Sequence, residues 1–265
     1  MPVIRSSDAQ LRYEVVGKGP TVVLLHPFPL NHSFWAGVTA QLSTRYRLLL
    51  PDLRAHGASE LGDGPATMRK LADDLGQICH QEQAGKATFI GVSIGGYLLF
   101  EFWRRYREPV AALVLANTRA DAETAESKAT RLLVAERVLR EGTAGFIEEM
   151  LGRVLSPATR SSRPDIVDAA RKMMQAMSPE DVAGVQRGIA ERPDSVSTLA
   201  SINVPTLVIA GEDDSVPLSE FQRMYKSIFS SMLRTISRAG HYAALEQPEE
   251  FGRLLREFLD KRQVR

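Results

Sequence analysis

The stretch Gly91-Val92-Ser93-Ile94-Gly95 decides the predicted fold, because it places a serine between two glycines where an apolar run meets a helical pattern. Residues 88–90 predict a strand and the segment from Ile94 onward predicts a helix, so the chain must reverse sharply at Ser93. Such a turn strains the serine backbone and holds its Oγ clear of the chain. Glycines two residues to either side let strand and helix approach without a Cβ clash. The pattern favours a serine nucleophile, although a glycine-rich connection without chemistry has the same composition.

On both sides of that turn, short apolar runs alternate with longer helical patterns, which is typical of a parallel sheet with helices on both faces. Strands are predicted at residues 11–16, 21–25, 46–50, 88–90, 110–115, 206–210 and 232–236. Turn residues at 17–20 predict that the first two strands pair as an antiparallel hairpin at one edge of the sheet. Helices are predicted at residues 34–42, 68–80, 94–106 and 248–259.

Residues 119–199 interrupt this alternation, because they contain several amphipathic helical patterns and no convincing strand. We therefore expect a core domain formed by residues 1–118 and 200–265, with a helical cap at 119–199. A cap inserted beside Ser93 is well placed to cover a pocket, and its methionines would give an adaptable lining. Each apolar residue taken singly is more often packing between helices.

Composition narrows the classes of partner. With 265 residues and 44% hydrophobic content, the chain can bury a large core without disulfide or metal staples. Thirty-three basic and 32 acidic residues give a formal charge of +1, so no nucleic-acid or membrane partner is expected and a small neutral ligand fits better. The lone Cys79 is predicted to pack in a helix, and the first residues lack the apolar core that is typical of a signal peptide. We expect a cytoplasmic protein, with a homo-oligomer as one alternative.

A serine nucleophile needs a base, and position along the chain separates the candidates. The histidines are His26, His32, His56, His80 and His241. His241 follows the last predicted strand, where its ring can reach the end of the sheet that carries Ser93. His80 and His32 are predicted at the solvated surface. His56 is predicted to order its own loop, and His26 to support the loop beside the site.

A histidine base in turn needs a carboxylate that fixes its tautomer and stabilises the imidazolium. Asp213 and Asp214 follow the strand at residues 206–210, at the edge of the sheet where Ser93 also emerges. Either aspartate could instead be part of an ordinary exposed turn. Serine, aspartate and histidine follow one another along the chain in the order expected for a serine triad on an α/β sheet.

Five motifs in order resemble the α/β-hydrolase superfamily: residues 24–30, 51–59, 91–96, 205–214 and 240–248. The resemblance covers residues 22–259 and implies an α/β-hydrolase fold, with a mostly parallel central sheet flanked by helices and a helical cap insertion. In relatives the acid usually stands three residues after the glycine that ends the strand, which is Asp214 here. Pro217 comes one residue sooner than usual, which keeps Asp213 open as the acid.

The resemblance also implies the groups that would stabilise and bind a substrate. The oxyanion hole would use the backbone N–H groups of Phe28 and Ile94. Pro27 replaces the usual glycine, but its missing N–H is not a donor in that scheme. We expect Phe28, Ile94, Trp35, Phe146 and Met150 to shape a mainly apolar pocket, although Trp35 fits equally as core beneath the loop.

The implied reaction is hydrolysis of small carboxylic esters or lactones through an acyl-enzyme, with no cofactor and no metal. Two branches stay open: one resembles enol-lactonases such as 3-oxoadipate enol-lactonase, and the other the cofactor-free haloperoxidases or perhydrolases. A carboxylated lactone would need a cation, for which Arg119 is the candidate, with a surface position as the alternative. In a different class, the same fold also serves as a small-molecule receptor or signalling partner.

Overall fold

The computed structural model describes residues 2–263, so Met1 and positions 264–265, at the ends of the expected core, lie outside the described residues. The strands are β1 Val3–Ser6, β2 Ala9–Val16, β3 Thr21–Leu25, β4 Arg47–Pro51, β5 Ala87–Val92, β6 Val110–Ala116, β7 Thr206–Gly211 and β8 Ser231–Ile236. Within residues 2–263 they form one eight-stranded sheet in the order β1-β2-β4-β3-β5-β6-β7-β8. The expected mostly parallel central sheet is therefore confirmed.

Strands β3 to β8 pair in parallel, and the central ones are buried on both faces. Their near-continuous apolar runs are what a strand covered by helices on both faces requires. Strand β8 lies at the edge and is half-exposed. The parallel strands carry their C-terminal ends to the same edge of the sheet, which is where α/β folds place their ligands.

The predicted hairpin between residues 11–16 and 21–25 is wrong. Strand β2 pairs antiparallel with β1 and with β4, whereas β3 pairs in parallel with β4 and β5. The turn composition has a different cause, since a Cβ on Gly17 would lie 2.3 Å from the Ser43 carbonyl oxygen. A Cβ on Gly19 would likewise lie 2.4 Å from the Arg45 carbonyl oxygen. The glycines let this link cross closely over the segment that leads into β4.

The helices that flank the sheet are α1 Ala36–Leu42, α2 Met68–Gln81, α3 Ile94–Tyr106, α10 Leu218–Ser227, α11 Ala243–Glu246 and α12 Pro248–Gln263. A 3-10 turn at His32–Trp35 precedes α1, so the helix predicted from residue 34 begins slightly later. Helix α10 was not predicted from the sequence. Buried Cys79 packs within α2, and burial raises the pKa of its thiol to about 12. No helix between positions 2 and 263 is both long enough and apolar enough to cross a membrane.

Between β6 and β7 the chain is helical: α4 Ala125–Glu141, α5 Ala144–Val154, α6 Pro157–Ser162, α7 Pro164–Met174, α8 Pro179–Ala190 and α9 Val196–Leu199. The prolines at the starts of α6, α7 and α8 occupy positions where a helix needs no N–H donor. Ser178 caps α8 and forms a capping box with Asp181. These helices lie where the cap at residues 119–199 was expected.

Candidate active site

Ser93 lies in a tight turn between β5 and α3. Its φ is +55°, a left-handed value that is rare for a residue with a side chain. The Ser93 N–H donates to the Ala116 carbonyl at 3.1 Å, and the Ser93 carbonyl accepts from the Thr118 hydroxyl at 2.8 Å. The strained turn predicted from the sequence is therefore present, and residues at the end of β6 hold it from both sides.

The glycines on either side of Ser93 are required by close packing. A Cβ on Gly91 would lie 2.4 Å from the carbonyl carbon of Gly95. A Cβ on Gly95 would lie 2.6 Å from the Leu25 carbonyl oxygen, on neighbouring β3. Both separations are shorter than real Cβ contacts, and both neighbours are backbone atoms that cannot move aside.

Ser93, His241 and Asp214 meet at the C-terminal edge of the sheet. The Ser93 hydroxyl lies 2.9 Å from Nε2 of His241, and Nδ1 of His241 lies 2.8 Å from Oδ1 of Asp214. Asp214 follows β7, and His241 follows β8. Asp213, the alternative acid, is exposed and has no such contact with the ring. The geometry therefore joins the imidazole to Asp214.

The carboxylate of Asp214 is buried and well supplied with donors. Its Oδ1 accepts from the Val216 N–H at 3.0 Å, and its Oδ2 accepts from the Asn117 amide at 2.8 Å. Burial alone would raise the pKa of Asp214. The charge and hydrogen bond of His241, together with these two donors, outweigh burial and lower the pKa from its ordinary value.

Sequence reasoning missed Asn117 as a site residue. It follows β6, its side chain is fully buried, and its φ is +47°. Its amide also donates to the Gly240 carbonyl at 3.2 Å, so it contacts the loops of both Asp214 and His241. A polar residue directly after a buried strand, beside two other such ends, was the available signal.

The loop that carries His241 is anchored to the end of α5. The His241 N–H donates to the Val154 carbonyl at 2.8 Å. Buried Glu246 accepts from the N–H groups of Gly240, at 2.9 Å, and Ser156, at 2.8 Å. These contacts fix the position of the imidazole relative to the helices between β6 and β7.

Within residues 2–263, neither of the two amides expected to form an oxyanion hole donates to a protein acceptor. Ile94 is the first residue of α3, and the first N–H of a helix has no partner within it. Between residues 2 and 263 the Phe28 N–H has no acceptor either. The Phe28 carbonyl is held by the Tyr242 hydroxyl at 2.9 Å, and the Phe28–Pro29 peptide bond is cis.

The other histidines support the loop at residues 51–59 or face solvent. The Leu53 N–H donates to His26 at 2.9 Å, and Nδ1 of His26 lies 3.0 Å from the Pro27 carbonyl oxygen in the loop that His26 was predicted to support. Nδ1 of His56 donates to the Arg54 carbonyl at 2.8 Å within its own loop, as predicted. His80 is exposed, as predicted. The prediction for His32 is wrong, because its Nδ1 lies 2.7 Å from buried Asp52, and this hydrogen bond raises the pKa of the half-buried imidazole.

A cavity of about 230 Å³ contacts Ser93 and His241. Phe28 and Met150 line it, as expected, whereas Phe146 lines a neighbouring cavity and lies 5.9 Å from the Phe28 ring. Trp35 does not line it. Its fully buried ring packs edge-on against Phe34 and Phe251, so Trp35 belongs to the core, the alternative weighed above.

The expectation of a mainly apolar cavity is wrong, because Arg119, Arg131 and Arg153 are part of its wall. Arg119 and Arg131 both contact buried Glu123, at 3.1 and 3.2 Å. Nε of Arg192 also lies 3.1 Å from Glu123. The sequence suggested only Arg119 as a cation of the site, and the other arginines could not be predicted because their approach depends on how the helices between β6 and β7 pack.

Glu123 is ionised at the centre of this cluster. Burial alone would raise its pKa, but Arg131, the Ser127 hydroxyl and Arg192 outweigh burial and lower the pKa to about 2. One negative charge is therefore shared by the guanidinium groups of Arg119, Arg131 and Arg192. The cluster keeps a net positive charge beside the cavity.

Comparison with known proteins agrees with this architecture. Residues 22–254 match the model of the alpha/beta hydrolase family. A thermophilic esterase from Thermogutta terrifontis, solved with malate bound, is 38% identical with a TM-score of 0.95, over 98% of this chain and 99% of that one. The enol-lactonase from Burkholderia xenovorans is 25% identical with a TM-score of 0.91, over 98% and 100% of the two chains. The 3-oxoadipate enol-lactonase 2 of Acinetobacter baylyi is 28% identical over 94% of this chain and 92% of its own. The chain therefore belongs to the alpha/beta hydrolase family, in its branch of enol-lactonases and esterases.

Proposed function

We propose that this protein is a serine hydrolase that cleaves small carboxylic esters or lactones through an acyl-enzyme intermediate. The observation that carries the proposal is the continuous contact from Ser93 Oγ through the His241 imidazole to Asp214, at 2.9 and 2.8 Å. These are distances at which a base can take a proton from a nucleophile and a carboxylate can orient that base.

In the proposed reaction, Ser93 Oγ attacks the substrate carbonyl carbon while Nε2 of His241 takes the hydroxyl proton. Asp214 holds the ring by Nδ1 and stabilises the imidazolium. The imidazolium then donates its proton to the leaving alcohol. A water molecule repeats the cycle on the acyl-enzyme, with His241 again as the base.

The tetrahedral intermediate carries an oxyanion, and the N–H groups of Phe28 and Ile94 are the proposed donors to it. Their lack of protein acceptors supports this role, because a free N–H can bond the oxyanion without first breaking another bond. In sites of this kind, one such donor contributes on the order of 10² to 10³ in rate.

We propose that the helical segment at residues 119–199 acts as a cap that excludes bulk water from the reaction. Side chains from α4, α5 and α8 contribute to the cavity wall opposite Ser93. Excluding water strengthens the electrostatic interactions inside a site and protects the acyl-enzyme until a water molecule is admitted.

A second candidate is hydrolysis of a carboxylated enol-lactone, as in the 3-oxoadipate enol-lactonases that this chain resembles. The observation in its favour is the cationic wall beside Ser93, which includes Arg119 as the sequence suggested. The Thermogutta esterase was solved with malate, a dicarboxylate, which is consistent with an anionic ligand in this branch.

Covalent labelling tests the serine mechanism directly. Diethyl 4-nitrophenyl phosphate transfers its diethylphosphoryl group to an activated serine oxygen and releases 4-nitrophenolate. We expect one adduct per chain, on the peptide that contains Ser93, and none in Ser93→Ala or His241→Ala. The control Ser161→Ala changes an exposed serine on α6 and should label like wild type. A folded wild-type protein that does not react, or an adduct that persists in Ser93→Ala, would overturn the proposal and bring the receptor alternative forward.

A further inference from the structure

The Phe28 carbonyl accepts a hydrogen bond from the residue that directly follows His241. The Tyr242 hydroxyl donates to the Phe28 carbonyl oxygen at 2.9 Å, and this contact is buried. Within residues 2–263, no backbone N–H reaches the same oxygen. The Tyr242 hydroxyl is therefore the protein donor on which this carbonyl depends in the described part of the chain.

Prolines on both sides of Phe28 explain why this bond matters for the loop. The Phe28–Pro29 peptide unit has no N–H, so its carbonyl is the one group through which hydrogen bonding can anchor it. The preceding unit is held through the Pro27 carbonyl, which accepts from the Leu30 N–H at 3.0 Å. The carbonyl and N–H of that planar, trans unit point to opposite sides. Each of the two peptide units that meet at Phe28 is thus held by its carbonyl.

The direction of the Phe28 N–H depends on both of these anchors. Without the Tyr242 hydroxyl, the Phe28 carbonyl would be buried without a donor, which is unfavourable. Rotation of the Phe28–Pro29 unit toward another donor would relieve this cost. Such a rotation would also shift the adjoining Phe28 N–H, the group proposed to bond the oxyanion.

The Tyr242 hydroxyl is itself held in place. Its ring is fully buried, packs edge-on against Phe34 with centroids 5.9 Å apart, and lies 6.0 Å from the His241 ring. Burial raises the pKa of Tyr242, so the hydroxyl keeps its proton and stays a donor. One short segment of chain therefore carries both the proposed base and the group that anchors the loop of Phe28.

We propose that Tyr242 is a positioning residue whose hydroxyl holds the Phe28 carbonyl so that the Phe28 N–H points at the oxyanion of the substrate. This inference rests on the proposed hydrolase function and adds a residue to its machinery. In the described chain, Tyr242 is not part of the wall of the cavity beside Ser93, so it acts through Phe28 and does not touch the substrate.

The first test removes the hydroxyl and keeps the buried ring. We expect Tyr242→Phe to lower kcat and kcat/KM for 4-nitrophenyl hexanoate by similar factors, about tenfold to a hundredfold, because an oxyanion donor acts in the transition state. The matched control is Tyr46→Phe. It removes the hydroxyl of another buried tyrosine, which donates to Asp260 at 2.7 Å away from the cavity. Equal losses of kcat in the two variants would overturn the inference.

A thionoester separates an effect on the oxyanion from an effect on the base. In O-(4-nitrophenyl) thionohexanoate, sulfur replaces the carbonyl oxygen, so Ser93 still passes its proton to His241 while the negative charge develops on sulfur. Sulfur is a weak acceptor and gains little from the Phe28 N–H. Tyr242→Phe should therefore lower kcat/KM for the thionoester about fivefold less than for the oxygen ester. An equal loss on both esters would show that Tyr242 acts through His241, and would overturn the inference.

Hexyl trifluoromethyl ketone gives a binding measurement that also separates this inference from the proposed function. Ser93 Oγ adds to the ketone carbon, the Oγ proton passes to His241, and the carbonyl oxygen becomes a bound oxyanion. We expect the inhibition constant to rise in Tyr242→Phe by about the factor by which kcat falls, and to stay unchanged in Tyr46→Phe. Unchanged inhibition and hydrolysis in Tyr242→Phe would reject the positioning role and leave the hydrolase standing. Neither hydrolysis nor a ketone adduct in wild type, with fluorine NMR as the readout of the adduct, would overturn both.

Discussion

The side-chain amide of Asn117 lies 2.8 Å from Oδ2 of Asp214 and 3.2 Å from the carbonyl oxygen of Gly240. One buried side chain therefore joins the loop after β7 to the loop that carries His241. Its left-handed φ of +47° is one that asparagine adopts more readily than most residues. We infer that Asn117 positions Asp214 beside the imidazole without touching the substrate.

Replacing Asn117 with glycine removes the amide but keeps the backbone conformation free of strain. We expect Asn117→Gly to lower kcat/KM by about tenfold to a hundredfold, the loss of one hydrogen bond to a charged group. The amide is also one of the groups that hold the pKa of Asp214 below its ordinary value, so its loss weakens the hold on the ionised carboxylate that orients His241. The control Asn203→Gly changes an exposed asparagine. Activity within twofold of wild type, or a loss that falls on KM alone, would refute the positioning role.

The packing around the Ser93 turn predicts that alanine is not tolerated at Gly95, whereas it is tolerated at Gly145. Gly95→Ala places a Cβ about 2.6 Å from the Leu25 carbonyl oxygen, so the turn must deform. We expect loss of activity and a lower Tm. Gly145→Ala lies in α5, where nothing would meet the Cβ within 4 Å, so it should keep or slightly raise stability. Thermal unfolding of both variants checks the pair, and a wild-type Tm with full activity in Gly95→Ala would contradict the packing argument.

Buried His56 predicts that the protein loses stability in mild acid. Burial lowers the pKa of His56 to about 4, although Asp52 and backbone carbonyls oppose this effect. The unfolded chain, with a His pKa of about 6.5, therefore binds more protons between these values, and the free energy of unfolding falls as pH drops. From pH 7.5 to 5, this residue alone contributes a loss of about 2 kcal/mol.

Urea unfolding at the two pH values, for wild type and for His56→Gln, isolates that contribution. His26 is buried in contact with His56 and acts in the same direction, whereas the raised pKa of His32 acts in the opposite one. His26 and His32 are present in both proteins. The difference between the two proteins in how the free energy of unfolding changes with pH therefore comes mainly from His56. Equal pH dependence in the two proteins would show that His56 does not carry this effect.

The buried ion pair of Arg54 and Asp74 predicts that replacing Asp74 lowers the free energy of unfolding more than replacing its neighbour Asp73. Fully buried Arg54 donates from Nε and Nη2 to the carboxylate of Asp74, both at 2.8 Å. Asp74→Ala leaves Nε and Nη2 of that guanidinium without an acceptor while Asp8 still pairs with its Nη1 at 2.7 Å, and we expect a loss of about 2 to 3 kcal/mol. Its neighbour Asp73 pairs with Arg105 at the surface, so Asp73→Ala should cost about 1 kcal/mol or less. Chemical denaturation of both variants measures the difference, and equal losses would contradict it.

The parts of the fold set by local sequence could be predicted. Apolar runs gave the parallel strands, and glycine spacing gave the turn at Ser93, because both depend on residues near one another in the chain. Parallel strands bring their ends to one edge, so Ser93, His241 and one of the aspartates at 213–214 could be expected to lie close together. The preference for Asp214 over Asp213 came from the resemblance to the family. The placement of helices at residues 119–199 followed from amphipathic spacing in the same way.

The parts set by contacts between distant segments could not be predicted. Trp35 fits a pocket wall or a core by composition, and only its packing against Phe251 from α12 decides between them. Turn residues after β2 suggested a hairpin, yet β4 takes the place beside β2. The charge around Glu123 depends on Arg192, a residue from the far end of the helical segment, which no local pattern connects to Arg119.

The most direct test of the central claim is steady-state hydrolysis of 4-nitrophenyl esters from acetate to decanoate at about pH 8, with purified wild type beside Ser93→Ala. The proposed mechanism predicts many turnovers by wild type, a chain-length optimum that reflects the cavity beneath the helical segment, and no turnover above background by Ser93→Ala. Equal rates in the two proteins, or no hydrolysis of any ester by a folded wild type, would contradict the claim that Ser93 is the nucleophile of an esterase.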